Sequence, residues 1–262
     1  VEQLIRAALD REQVQLAYQP VVDLVDGRVV AAEALLRLRD AEGSPASAAQ
    51  VVAEAERTGQ ILALGRSVLR TAALQAAAWR RELGRLVPVF VNVSALQVHD
   101  DGFVDDVLGA LAAADLPPVG LSLELTESVL LTTDQAPLAR LWELDRAGVS
   151  LALDDFGTGF DTLTYLLRLP ATTLKIDRAF VAGVPHEERS TAIVDGVVAL
   201  AKRCGLRTVA EGIETPAQAE HLAALGVYGQ GYLLGRPASA AALGRWLAEG
   251  APSRWSAATS ED

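Results

Sequence analysis

Cysteine is almost absent from this chain. Cys204 stands alone, so no intramolecular disulfide can form, which fits a reducing compartment. It lies in a helix-like stretch, Val194–Gly205, and reads as a small core or near-surface residue rather than a nucleophile. Histidine is scarce too. His99, His186 and His221 fall in predicted loops or on predicted helices, which leaves zinc chemistry without its usual ligands. Basic residues are outnumbered, 23 against 34 acidic, for a net charge of −11. That balance argues against non-specific binding to a nucleic-acid polymer or an anionic membrane. No signal-peptide pattern and no 18-residue uncharged apolar run occurs, so direct membrane insertion is not expected. The expected location is cytoplasmic, either free or as the cytoplasmic part of a membrane-anchored protein. Methionine is missing altogether and the first residue is Val1. We therefore expect a domain excised from a longer protein whose other parts carry regulation.

What is present is alternation. Half of the residues are apolar, enough for a sizeable core. The pattern predicts a helix over Glu2–Glu12, then a strand over Val14–Val22. Asp26-Gly27 is a hairpin signal, so the next strand, Arg28–Arg37, should run antiparallel to the first. Helices are predicted at Ala48–Thr58, Ile61–Leu83, Asp101–Ala114, Gln135–Ala147, Thr162–Arg168, Glu188–Cys204, Pro216–Leu225 and Ala240–Glu249. Strands are predicted at Val87–Val93, Gly120–Leu125, Val149–Asp154, Thr173–Ile176, Arg207–Ala210 and Val227–Gln230. Seven or eight strands alternating with helices and no clear linker indicate an α/β fold, a closed TIM-like (β/α)8 barrel. An open doubly wound sheet is the alternative. The barrel should occupy residues 1–249, and 250–262 should form a flexible tail.

Polar residues collect where these strands end. Glu33, Asn92, Glu124, Asp154, Asp155, Lys175, Asp177, Glu211, Glu214 and Gln230 all sit at or just beyond a predicted strand end. In a barrel such residues converge on one mouth, where barrel enzymes keep their active sites. So many carboxylates around one lysine repel each other unless cations separate them. An all-oxygen donor set suits Mg²⁺ or Mn²⁺. Two such ions sharing a bridging carboxylate serve in-line attack on a phosphodiester. In this reading Asp154 bridges, Glu33, Asn92 and Glu124 complete one site, and Asp155, Asp177 and Glu211 complete the other. Lys175 could hold the attacking hydroxide or offset phosphate charge; the plain alternative is a lysine extending from a strand end. Leu35 and Arg37 share a strand face with Glu33. Arg37 could fork onto a phosphate or form a structural ion pair.

At these residues the sequence resembles the EAL-domain family of cyclic-di-GMP phosphodiesterases. The resemblance runs through Glu33-Ala34-Leu35-Leu36-Arg37, Val91-Asn92-Val93-Ser94 and Glu124-Leu125-Thr126-Glu127-Ser128. It continues through Asp154-Asp155-Phe156-Gly157-Thr158-Gly159, Leu174-Lys175-Ile176-Asp177, Ala210-Glu211-Gly212-Ile213-Glu214 and Gln230-Gly231-Tyr232. Seven motifs in order, over roughly residues 10 to 248, make the likeness specific. It implies a barrel with one antiparallel strand, two Mg²⁺ or Mn²⁺ ions, inhibition by Ca²⁺, and hydrolysis of cyclic-di-GMP to linear pGpG. It implies substrate contacts from Leu35, Arg37, Glu214 and Gln230, and a catalytic role for Lys175. Glu211 is by the same analogy a metal ligand or the general base. Glu127 should tether the Asp155–Asp161 loop, and Phe156, Gly157, Thr158, Gly159 and Asp161 belong to that loop and the family's dimer contact. A homodimer is therefore expected, covalently linked to sensor or cyclase-type domains in the full-length protein.

Three positions depart from the common pattern: Leu38 and Leu234 replace frequent aromatics, and Asp161 replaces a serine. None is a predicted metal ligand. A binding-only receptor for the same dinucleotide is the alternative function; such receptors lose ligands or the lysine, and here all are present. Mg²⁺-assisted proton abstraction beside a substrate carboxylate is a more distant possibility. If Glu127 tethers the loop, Glu127→Ala lowers kcat more than it weakens substrate binding. Steady-state kinetics with an unchanged kcat would remove that role.

Overall fold

In a computed structural model, residues 1–11, 13–39, 43–126, 135–156 and 168–249 are described. They form eight strands closed into a barrel in the order β1 to β8. The order along the chain is α1 (Glu2–Asp10), β1 (Gln15–Asp23), β2 (Val29–Arg37), α2 (Ala48–Thr58), α3 (Ile61–Leu83) and β3 (Val89–Val93). Then come α4 (Ala95–His99), α5 (Phe103–Ala114), β4 (Leu121–Leu125), α6 (Gln135–Arg146), β5 (Ser150–Phe156) and β6 (Thr173–Ile176). The rest are α7 (Arg178–Val181), α8 (Glu188–Arg203), β7 (Arg207–Ala210), α9 (Pro216–Ala224), β8 (Tyr228–Gly229) and α10 (Ala240–Glu249). Closure rules out the open sheet. The predicted helix over Thr162–Arg168, save Arg168 itself, and the tail fall outside the described residues.

The Asp26-Gly27 turn does what its sequence implies. Gly27 takes a positive φ of 77°, the region glycine enters without steric cost. The Asp26 carboxylate accepts the Arg28 backbone N–H at 2.9 Å. β1 is thereby inverted and pairs antiparallel with both β2 and β8. The other neighbours are parallel. Opposite β2, Gln19 is the partner of Glu33.

The main core lies between the barrel wall and the helices. Trp79 of α3 packs edge-on against Tyr18 of β1 at a centroid distance of 5.0 Å, and both are buried. Within the barrel, Val21, Ala31, Phe90, Ala152 and Val209 form a separate apolar layer. Four of these precede Glu33, Asn92, Asp154 and Glu211 by two residues, so they sit one step below the polar mouth on the same inward face.

Short polar devices set where helices start. Ser94 and Gln97 form a reciprocal capping box that opens α4, a short helix absent from the predicted pattern. Thr215 and Gln218 do the same for α9, with Pro216 in its first turn. Past β8 the chain passes Gly231, where a side chain would meet the Ile213 backbone oxygen at 2.1 Å and nitrogen at 2.2 Å. Neither backbone atom can yield without moving the segment after β7. Gly231→Ala should lower Tm by several degrees, as a strained core substitution does; thermal unfolding by circular dichroism reads this directly.

Candidate active site at the barrel mouth

The site is a carboxylate cage around one lysine. Lys175 of β6 is 1 % exposed, and its Nζ lies 2.6 Å from Glu124 Oε1 and 2.6 Å from Glu211 Oε1. Asp154 Oδ1 stands at 3.4 Å and Glu33 Oε2 at 3.6 Å. Four strands besides its own thus send an acid to one ammonium. Amides hold the cage from the side. Gln230 Nε2 donates to Glu33 Oε2 at 2.6 Å and to Gln19 Oε1 at 3.0 Å. Gln19 in turn donates to the Gly235 carbonyl at 3.0 Å. Asn92 donates to Glu33 Oε1 at 2.9 Å.

Adjacent residues on a regular strand face opposite ways, so Asp154 and Asp155 should not share a mouth. They do because β5 is irregular there. Its pairing with β6 slips between Leu153 and Phe156, and Asp155 takes a φ of +54°. Aspartate tolerates this left-handed conformation better than most residues. The bulge brings one oxygen each of Asp154, Asp155 and Glu211 within 4.8 Å of one another. It also carries β5 past its predicted end at Asp154 to Phe156, whose side chain is buried in the main core. Phe156 is thus a strand residue rather than part of a loop.

Burial and charge divide the acids. Burial pushes Glu33 up, but the Lys175 ammonium and the Gln230 and Asn92 amides outweigh it, so its carboxyl titrates below the usual range. Burial raises Glu124 well above that range, and the Glu33 charge adds to the effect. Glu211 is raised to about 7, first by burial and then by Asp154 and Glu33, against the pull of Lys175. Asp155 is raised by burial and by the charges of Asp154 and Asp177. For Lys175 burial is overcome by Glu124, Glu33, Asp154 and Glu211, which keep it firmly protonated.

The remaining predicted residues are spread more widely. Asp177 caps α7, accepting the Ala179 N–H at 2.8 Å. Glu214 lines the cleft beside the cage, a space of about 230 Å³. Its wall also includes Gly212 and Tyr232, which the resembling motifs contain without a site role, and Gln19 and Arg178, which no motif contains. Gln19 could have been found by counting back from Asp26-Gly27, since the hairpin register pairs it with Glu33. Arg37 is not among the residues of that wall. It lines a separate cavity with Arg11 and Arg39, and its guanidinium donates to the Leu36 carbonyl at 2.9 Å. Leu35, half-buried on the same strand, is likewise absent from the cleft wall. Glu127, Gly157, Thr158, Gly159 and Asp161 lie outside the described residues. Cys204 is exposed. His99 bonds the Ala95 carbonyl and His221 bonds Asp195, so neither reaches the mouth.

The EAL domain family model matches residues 2–237. This chain is an EAL domain. It is 43 % identical over 234 residues to the bifunctional diguanylate cyclase/cyclic di-GMP phosphodiesterase MucR of Pseudomonas aeruginosa, covering 89 % of this chain and 34 % of MucR. It is 37 % identical over 248 residues to the cyclic di-GMP phosphodiesterase NbdA of the same organism, covering 94 % of this chain and 32 % of NbdA. The chain therefore spans about a third of the length of these relatives. A solved MucR phosphodiesterase structure in complex with c-di-GMP superposes with a TM-score of 0.86 at 42 % identity, over 92 % of this EAL domain and 98 % of that chain. Among the described residues no helix is long and apolar enough to cross a membrane.

The donor set fits divalent metal. Both Glu124 oxygens are buried without a hydrogen bond among the described residues, although Lys175 is in ionic contact with one of them. A cation beside Glu124 would satisfy them, and the Asp154–Asp155–Glu211 group offers further oxygens. Without bound metal, the raised Glu211 and Glu124 favour folding while protonated. That contribution is complete below the ordinary carboxylate range and is lost as pH rises through about 7 for Glu211. We expect the Tm of the chelator-treated domain to fall between about pH 5 and pH 8, and Mg²⁺ or Mn²⁺ to flatten or reverse the fall. Differential scanning calorimetry at matched ionic strength checks both trends.

Proposed function

We propose that this EAL domain hydrolyses cyclic-di-GMP to linear pGpG with two Mg²⁺ or Mn²⁺ ions. The observation carrying this reading is the intact cage: Lys175, Glu33, Glu124, Asp154 and Glu211 are all present and converge. The naming of MucR and NbdA as phosphodiesterases adds to it. Glu33, Asn92, Glu124, Asp154, Asp155, Asp177 and Glu211 would hold the ions. Bound there, they supply Lewis acidity toward the phosphate and a strongly nucleophilic water at neutral pH.

The chain's own residues supply the rest. The Gln19–Gln230–Glu33 chain fixes Glu33 and removes its freedom to swing away. Lys175, buried and charged, offsets the negative charge that builds on the phosphate as water oxygen bonds to phosphorus and a 3′ oxygen leaves. Glu211 serves either as one of the metal ligands or as the base that takes the proton of the water. At the rim, Arg178 and the Tyr232–Arg236 pair, with the guanidinium 4.2 Å from the ring centroid, offer charge and a π face to a nucleotide. Ca²⁺, larger and less strict in geometry, would inhibit. We further propose that the domain works as a homodimer within a longer, cytoplasmic signalling protein.

The test is chromatographic. Incubation of the domain with cyclic-di-GMP and Mn²⁺ should yield pGpG, and Glu33→Ala should lower kcat/KM by at least about 100-fold, the loss expected when a metal site is broken. Tight binding of the dinucleotide with no product from the unaltered chain would establish a receptor instead.

A further inference from the structure

The floor of the barrel holds a second polar site, opposite the mouth. Ser122 of β4 and Thr173 of β6 are 3 % and 1 % exposed. Their hydroxyls are buried with no hydrogen-bond partner among the described residues. Both point into one cavity of about 70 Å³, which Ser150, Arg207, Phe90 and Val209 also line. Strand register explains why these side chains meet. Ser122 pairs with Ser150 across β4 and β5, and Thr173 with Arg207 across β6 and β7. Paired residues of parallel strands project on the same face.

Two orphaned hydroxyls in a barrel core are costly unless something occupies the space beside them. The cavity has room for a few waters or one small ion. Its charge argues for the ion. No Asp or Glu lines the cavity. Arg207, an exposed residue that also lines the cavity, has no ion-pair partner among the described residues, in a chain whose net charge is −11. The apolar layer of Phe90, Ala152 and Val209 lies between this floor and the carboxylates above. Two hydroxyl donors and an arginine lining one cavity are the residue types that take an oxyanion.

We propose that the barrel floor binds a small inorganic oxyanion of the phosphate class, held by Ser122, Thr173 and Arg207. The site is separate from the mouth and does not depend on its chemistry. The probe is inorganic phosphate, titrated against the intact chain in Mg²⁺ buffer at constant ionic strength. Phosphate should give a saturable Tm rise of a few degrees. Arg207→Gln should raise the phosphate Kd read from that titration at least fivefold, about 1 kcal/mol or more of binding energy, while leaving cyclic-di-GMP turnover unchanged. The double variant Ser122→Ala/Thr173→Val, which removes the orphaned hydroxyls and should fold at least as well, should also lose the response. Crystals soaked in selenate should show anomalous density between these three side chains. An equal phosphate response in the unaltered chain and both variants, or water alone at the floor after soaking, overturns the proposal.

Discussion

A single ammonium buried among four carboxylates governs the upper half of this barrel. Lys175 cannot leave its place without exposing Glu124 and Glu211 to each other, and those acids cannot ionise together without it. A buried charge stripped of its partner costs about 3–5 kcal/mol, so the cage is held by mutual necessity as well as by packing. The strands that carry these residues are correspondingly constrained in length and register. The amide chain Gln19–Gln230–Glu33 extends that constraint to β1 and β8, the two strands joined by the antiparallel seam. The cage thereby ties together strands that lie on opposite sides of the barrel.

Such a cage is neither an ordinary structural ion cluster nor a finished metal centre. Excess negative charge, raised carboxyls and unsatisfied Glu124 oxygens leave it short of positive charge. Divalent ions would complete it, and completion would convert proton-holding acids into ligands. Metal affinity, protonation and local stability are therefore linked quantities in this domain.

Much of this was legible in the sequence, for identifiable reasons. Short apolar runs ending in acids located the strands, and Asp26-Gly27 disclosed the inverted pair before any coordinates. The β5 bulge was not legible. Strict alternation puts Asp154 and Asp155 on opposite faces, and their shared direction rests on one left-handed residue. Arg37 marks another limit. Face-sharing along β2 groups it with Glu33, yet four residues at about 3.3 Å each carry it well up the strand, where its guanidinium turns to the Leu36 carbonyl and a different cavity. Tyr232, named only as the end of a motif, was given no role, and Arg178 was missed, because neither belongs to a strand. They reach the cleft through the loop after β8 and the short helix α7, which no periodicity announces.

The irregularity in β5 has a bearing on what changes at its two aspartates would do. Exchanging either aspartate for another side chain removes one candidate ligand, and at Asp155 it also burdens a left-handed backbone position. Excising one of them removes the extra residue, so the strand returns to regular pairing with Phe156 still opposite Ile176 and on the core face of Leu153. The packing of Phe156 against the core is thus independent of whether both carboxylates are present.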